Sequence, residues 1–296
     1  MYLATKPQPD AARAWLEATQ QAFAQPQHEA YNVIVDLESP VICDPTSHTI
    51  IERVDSFLRP RSKPLMTVAN TIFPNALYQK HGIEGLYETF HDVLLPKIRR
   101  DCNWTGYYFE RMTRAVSAEG EIINPLQDVI RRVNDPAIKA KNKFEVAIFD
   151  PFRDLSDSPC GGQCMSHLSF KLAGKADKKL LLTVTYRNHF YIEKLLGNLI
   201  GLSQLLSFVA KESGVQPGSL TILSTHATTT RPAAMQSRDP IAESIGVCIF
   251  HLNVPRHGVL RLVRPKSLIA MVVPNCMAQP PRSGFPAPFI NFKSMT

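Results

Sequence analysis

The sequence predicts an α+β fold: a single domain with a large mixed sheet flanked by helices and one long buried helix. Three observations carry this. Short apolar and β-branched runs, among them NVIVDLE (32–38) and FEVAIF (144–149), read as strands. The stretches 9–25 and 83–99 carry helical spacing, and a third helix is apolar over a broad stripe from Ile192 to Val209. No repeat, low-complexity tract or linker divides the 296 residues.

Taken in order, residues 9–25 form a first helix and 32–38 a strand. In 83–99 the apolar residues Ile83, Leu86, Phe90, Val93 and Leu94 recur at helical spacing. Asn124 followed by Pro125 opens a short helix over 124–134, a capping residue before a first-turn proline. The strand at 144–149 precedes a strand pair, 164–172 and 180–187, joined by AGKADKK. The long helix follows, with Lys211 in its last turn, Gly214 ending it and Pro217 beyond. Strands at 219–224, 246–253, 258–263 and 268–273 complete the set. The last stretch, 274–296, holds five prolines and reads as an irregular arm.

Apolar residues make up 44% of the chain and charged residues 20%, ordinary for a soluble protein. Leu195 to Ala210 is interrupted by Asn198, Ser203, Gln204 and Ser207, which argues against a membrane span. The start, MYLATKPQPDAARAW, lacks the apolar centre of a signal peptide, so a cytoplasmic protein is expected. Six dispersed cysteines fit a reducing compartment, and Cys160 and Cys164 have no second pair at zinc spacing, so no metal is expected. The net charge is +7, yet its basic clusters RPRSK, KIRR, KAKNK and KADKK are not interleaved with aromatics. That argues against nucleic acid and for an anionic small ligand such as a phosphate.

The chemistry centres on GGQCMSHLSF (161–170), where Cys164 stands at the mouth of a strand. A hairpin closed between Leu172 and Leu180 sets Cys164 opposite Asn188 and Met165 opposite Arg187, with cross-strand neighbours about 5 Å apart. A guanidinium beside a thiol favours the reactive thiolate. The alternative is a buried cysteine serving as inert packing.

The run from Tyr186 to Ala227 resembles the thymidylate synthase superfamily. The resemblance rests on Arg187 and Asn198 eleven residues apart, the apolar helix around Asn198, and the turn PGSL (217–220). The earlier piece GYYFERMTRAVSAEGEIINPLQDVIRRVNDPAIKAKNKFEVAIF is similar too, with a tyrosine-bearing strand, a helix and an N-D-P turn, so the likeness covers roughly 100–230. The segment YRNHFYIEKLLGNLIGL looks most like the cytidylate hydroxymethylases of nucleoside-antibiotic pathways. The resemblance implies a thymidylate synthase-like domain that adds a one-carbon unit from 5,10-methylenetetrahydrofolate to C5 of a pyrimidine nucleoside monophosphate. CMP or dCMP is the expected substrate, dUMP methylation and a catalytically inactive nucleotide-binding protein being the alternatives.

It implies Cys164 as nucleophile, with Cys160, which follows a proline, as competitor. Arg187 and Asn188 would bind phosphate, and Asn198 would read the base; a carboxamide serves uracil in one orientation and cytosine in the other, leaving the base open. Tyr107 or Tyr108 falls at the family's active-site tyrosine. Arg59 and Arg61 would serve its phosphate loop. Lys141 and Lys143 stand where it supplies an arginine clamp from the second subunit, which implies a homodimer. The chain also departs from the pattern. Thr228 and Thr230 replace the sugar-reading His and Tyr, Phe190 replaces an acidic residue, and Glu84 and Glu88 are candidates for the general acid. The tail lacks the folate-closing end, which favours water over hydride and hence a hydroxymethyl product.

Overall fold

The computed structural model describes residues 2–40, 44–61, 63–98, 106–140, 142–155, 162–174 and 177–229. All of them belong to one compact unit, Met1–Leu262. The elements begin with β1 (Leu3–Ala4), α1 (Ala11–Phe23), β2 (Glu29–Leu37), α2 (Pro45–Leu58), α3 (Leu65–Ile72) and α4 (Asn75–Glu88). Then come α5 (Tyr108–Thr113), β3 (Ala115–Val116), β4 (Ile122–Ile123), α6 (Pro125–Asn134), β5 (Glu145–Ala147) and α7 (Pro151–Asp154). The site is built by β6 (Met165–Ala173), β7 (Lys179–Tyr186), β8 (His189–Phe190), α8 (Leu196–Glu212) and β9 (Gln216–Thr228).

The main sheet runs β1-β2-β9-β7-β6-β5, with β8 also beside β9. The mixed character comes from β9, which is antiparallel to β2 and parallel to β7 and β8. Period-two alternation buries Leu180, Leu182, Val184 and Tyr186 of β7 and Leu220, Ile222 and Ser224 of β9 on the same side. Helix α8 packs against that face. Residues Tyr191–Glu212 are long and apolar enough to cross a membrane, but most of this helix is enclosed within the fold as its core.

Two glycines let α3 lie directly on α8. A Cβ on Gly197 would stand 2.7 Å from Val68 Cβ, and one on Gly201 would stand 2.7 Å from the Ala69 carbonyl. Only a bare backbone allows that approach. The helix begins with a π turn, Tyr191–Leu195, anchored where Trp15 Nε1 of α1 donates to the Tyr191 carbonyl at 2.8 Å. Lys63 and Glu193 pair across the same end at 2.6 Å.

The structure departs from the sequence reading in several places. The helix expected over 83–99 starts at Asn75, breaks at Gly82 (φ +64°), and continues past Glu88 as a π turn and a 3-10 turn, Leu95–Lys97. Val93, placed on the apolar stripe, is exposed. The tyrosine-bearing strand is the short helix α5, because turning there buries Phe109 and Met112. The hairpin keeps its expected register from Leu172↔Leu180 to His167↔Thr185, then shifts, so Met165 faces Tyr186 rather than Arg187. The capped helix at Asn124–Pro125 has the expected form, with Asn124 Oδ1 accepting from the Gln127 amide at 2.9 Å. The strands expected at 246–253, 258–263 and 268–273, and the arm at 274–296, lie outside the described residues.

Replacing Gly201 tests the α3–α8 contact. Alanine would gain about 1 kcal/mol of helix propensity against the clash, so valine is the sharper probe. Gly201→Val is expected to lower stability by about 2–3 kcal/mol through overpacking, read as a lower urea midpoint. An unchanged midpoint would refute the close approach.

Candidate active site

The loop before β6 is set against a buried ion pair. Arg111 of α5 grips Asp154 of α7 with two bonds, Nη1 to Oδ2 at 2.6 Å and Nη2 to Oδ1 at 2.8 Å, both side chains almost fully enclosed. The Asp150 amide adds a third bond to Asp154 Oδ2 at 2.9 Å. Burial raises the Asp154 carboxyl, but these donors outweigh it and hold it below the usual carboxylate value. Removing one member of such a pair typically costs about 3–5 kcal/mol, because the other charge stays buried. Gly162 (φ +74°) folds onto this post so closely that a Cβ would come within 3.1 Å of the Asp154 carbonyl oxygen.

Past Gly162 the chain meets the end of β7. The Arg187 amide donates to the Cys164 carbonyl at 2.9 Å, and Arg187 Nε donates to the Gln163 carbonyl at 2.9 Å. Gln163 Nε2 in turn donates to the Gly106 carbonyl at 3.0 Å. The Cys164 thiol is thereby placed, half-buried, on the wall of a cavity of about 220 Å³. Tyr108, Asn188, Lys194 and Asn198 share the cavity, and Val68 and Thr71 of α3 close one side. The volume lies below the ~300–1,000 Å³ usual for ligand pockets and has room for a planar ring. A larger cavity, about 310 Å³, lies on the far side of α8 around Tyr78, Ser203 and Lys211; among the described residues no cysteine lines it.

Burial is the largest influence on Cys164 and pushes its thiol up; Arg187 and Lys194 pull it down without prevailing. The expectation that the guanidinium would yield a resting thiolate is therefore corrected. Desolvation penalises the anion more than two nearby cations relieve it.

The two asparagines are each tied to a histidine. His189 is buried and neutral, its pKa driven to about 3 by burial. Its Nε2 lies 2.9 Å from Asn198 Nδ2 and its Nδ1 3.0 Å from Ser224 Oγ. Tyr186 stacks on its ring with centroids 4.1 Å apart. On the other side, the Asn188 oxygen accepts from His226 Nδ1 at 3.0 Å, while His226 Nε2 sits 3.4 Å from Glu29 Oε2.

Of the residues named from sequence, Cys164, Asn188 and Asn198 line one cavity, with Arg187 beside the thiol. Tyr108 lines it; Tyr107, its neighbour, instead packs toward Phe90, 6.3 Å between ring centres. Arg59 is elsewhere, its side chain 68% exposed and paired with Asp55. Lys143 is exposed. Thr228 is buried in β9, Phe190 lines the cavity, and Glu84 and Glu88 are absent from its walls. Lys141, Cys160 and Thr230 lie outside the described residues, as does the Arg61 side chain. Sequence reasoning missed Lys194, a cation in the opening π turn of a mainly apolar helix. It also missed His189 and Gln163, whose importance lies in what they hold.

No family model matches the chain. A protein of Methanosarcina mazei described as "Putative thymidylate synthase" is 41% identical over 61 residues, which is 21% of this chain and 27% of that protein. The chain thus matches about a quarter of that relative's length. The likeness supports a relationship to the thymidylate synthase superfamily over that stretch.

Alkylation of Cys164 by iodoacetamide, followed peptide by peptide, tests the electrostatics. Because burial raises the thiol, the rate is expected to climb only above the ordinary cysteine pKa of about 8.5. Arg187→Ala should move the rise further up. A rise centred below the ordinary value would contradict this balance of burial and charge.

Proposed function

We propose that the protein adds a one-carbon unit to C5 of a cytidylate, CMP or dCMP, giving the 5-hydroxymethyl nucleotide. The observation that carries this is a cysteine sulfur opening onto a ring-sized cavity together with two carboxamides and a lysine, with an arginine beside it. A thiolate adds to C6, forming the Sγ–C6 bond and shifting the C5–C6 electron pair onto C5. A hard aromatic substitution is thereby split into feasible steps. After carbon–carbon bond formation C5 loses its proton, the carbon–nitrogen bond to tetrahydrofolate breaks to leave an exocyclic methylene, water adds to that carbon as the hydroxyl, and Sγ departs as the C5–C6 double bond re-forms.

Arg187 and Lys194 have two tasks here. As cations they lower the cost of forming the thiolate, and they attract the nucleotide phosphate. Asn198 meets the base edge, and Asn188 lies where phosphate or sugar oxygens would enter. The one-carbon donor is taken to be 5,10-methylenetetrahydrofolate, which supplies an electrophilic methylene carbon. Phe190 and Val68 on the cavity wall offer a flat, apolar group a surface to pack on. A homodimer belongs to the same proposal, with exposed Lys143 available to a partner's phosphate.

A second reading is a nucleotide-binding protein without turnover, and the raised thiol favours it. Tritium release from [5-³H]CMP with methylenetetrahydrofolate separates the two. Release is expected, and Cys164→Ser should reduce it on the order of a thousandfold or more. No release from CMP, dCMP, UMP or dUMP, with tight binding retained in Cys164→Ser, would select the binding protein. Release from dUMP with dihydrofolate formation would point to methylation instead.

A further inference from the structure

Behind Asn198 runs a closed chain of hydrogen bonds: Tyr191 Oη to Ser224 Oγ at 3.2 Å, Ser224 Oγ to His189 Nδ1 at 3.0 Å, and His189 Nε2 to the Asn198 carboxamide at 2.9 Å. All four residues are buried; Tyr191 and Ser224 are 0% exposed. We infer that this relay has one permitted polarity, which turns the NH₂ of Asn198 toward the cavity and makes the site select a ring lone pair, hence cytosine over uracil.

The inference is a matter of counting hydrogens. Each of the three junctions takes one. Tyr191 and Ser224 bring one hydroxyl hydrogen each. His189 brings one, because at a pKa of about 3 its ring is neutral and has one donor and one acceptor nitrogen. Run outward, Tyr191 donates to Ser224, Ser224 to His189 Nδ1, and His189 Nε2–H to the amide oxygen of Asn198. Every buried hydrogen then has an acceptor, and the amide NH₂ is left for the cavity. Run inward, the amide donates to Nε2 and Nδ1–H donates to Ser224. Either the Ser224 or the Tyr191 hydroxyl hydrogen is then stranded, since neither has another acceptor among the described residues. A stranded buried donor disfavours the inward state by roughly tenfold or more. The nitrogen and oxygen of a carboxamide exchange places by a half-turn, so the network, rather than the drawn position of Nδ2, assigns them.

An outward NH₂ pairs with N3 and O2 of cytosine, both acceptors. Uracil would bring its N3–H against an N–H. This step rests on the proposed role of Asn198 at the base edge; the relay's polarity does not. His189, Ser224 and Tyr191 are positioning residues acting through Asn198.

Two measurements separate the levels. Long-range ¹H–¹⁵N spectra of protein labelled in its nine histidines report which ring nitrogen carries the proton. His189 is assigned as the signal lost in His189→Phe or, should that variant not fold, the one displaced in Ser224→Ala. The proton is expected on Nε2; a proton on Nδ1 overturns the relay. Calorimetric titration with CMP and UMP then reads selection. CMP is expected to bind about tenfold tighter, and the ratio should fall toward one in His189→Phe. UMP binding as tightly as CMP, with the proton on Nε2, overturns the selection. Binding of neither nucleotide overturns selection and site reading together while leaving the polarity standing.

Discussion

Two N–H groups of one arginine hold the site together. The Arg187 amide closes on the Cys164 carbonyl and its Nε closes on the Gln163 carbonyl, so the end of β7 is tied to the two residues that precede β6. The thiol's direction follows from that tie. So does the nearness of the guanidinium, because the same side chain makes the bond and supplies the charge. The Arg111–Asp154 pair stands behind this arrangement and keeps the Gly162 turn from relaxing outward. Gly197 and Gly201 complete it by letting α3 close one side of the cavity.

The cost of this construction is a thiol that burial holds protonated. An enclosed sulfur gains orientation and exclusion of water but loses the solvation that would stabilise its anion. Two cations offset part of the loss. In such a site the reactive form is reached when ligand and thiolate are bound together, so a high resting pKa and covalent chemistry are compatible. The neutral, stacked His189 reflects the same environment: where charge is expensive, the cavity's inner polar contacts are made by a carboxamide, a neutral imidazole and hydroxyls.

Much of this was legible in the sequence. The alternation in 164–187 set most of the hairpin register, and the resemblance carried by Arg187 and Asn198 associated both with Cys164, where the structure has Asn198 on the cavity wall and Arg187 beside the thiol. The shift at Met165 was not legible, because it is imposed by the Asp154 post and the Gly162 turn rather than by alternation. Helix α3, LMTVANTI, buries Leu65, Val68, Ala69 and Ile72 at helical spacing, but at eight residues the pattern is too short to stand out in the sequence; its close packing on two glycines of α8 is set by the fold. The β-forming residues of GYYFE gave way to the burial of Phe109 and Met112, and of the two tyrosines left open by the sequence the turn of α5 sets Tyr108 on the cavity wall. Charge was read from neighbours alone; the desolvation that reverses the Cys164 expectation is a property of the folded environment.

The central claim is that the Cys164 sulfur bonds to the six-position of a pyrimidine bound in its cavity. Incubation with 5-fluorocytidine monophosphate and methylenetetrahydrofolate tests it directly, because fluorine at C5 cannot leave as a cation and the adduct cannot resolve. Intact-mass analysis followed by peptide mapping should find one nucleotide joined with one folate on the peptide carrying Cys164. An unmodified protein, or an adduct on Cys160 with Cys164 free, would contradict it.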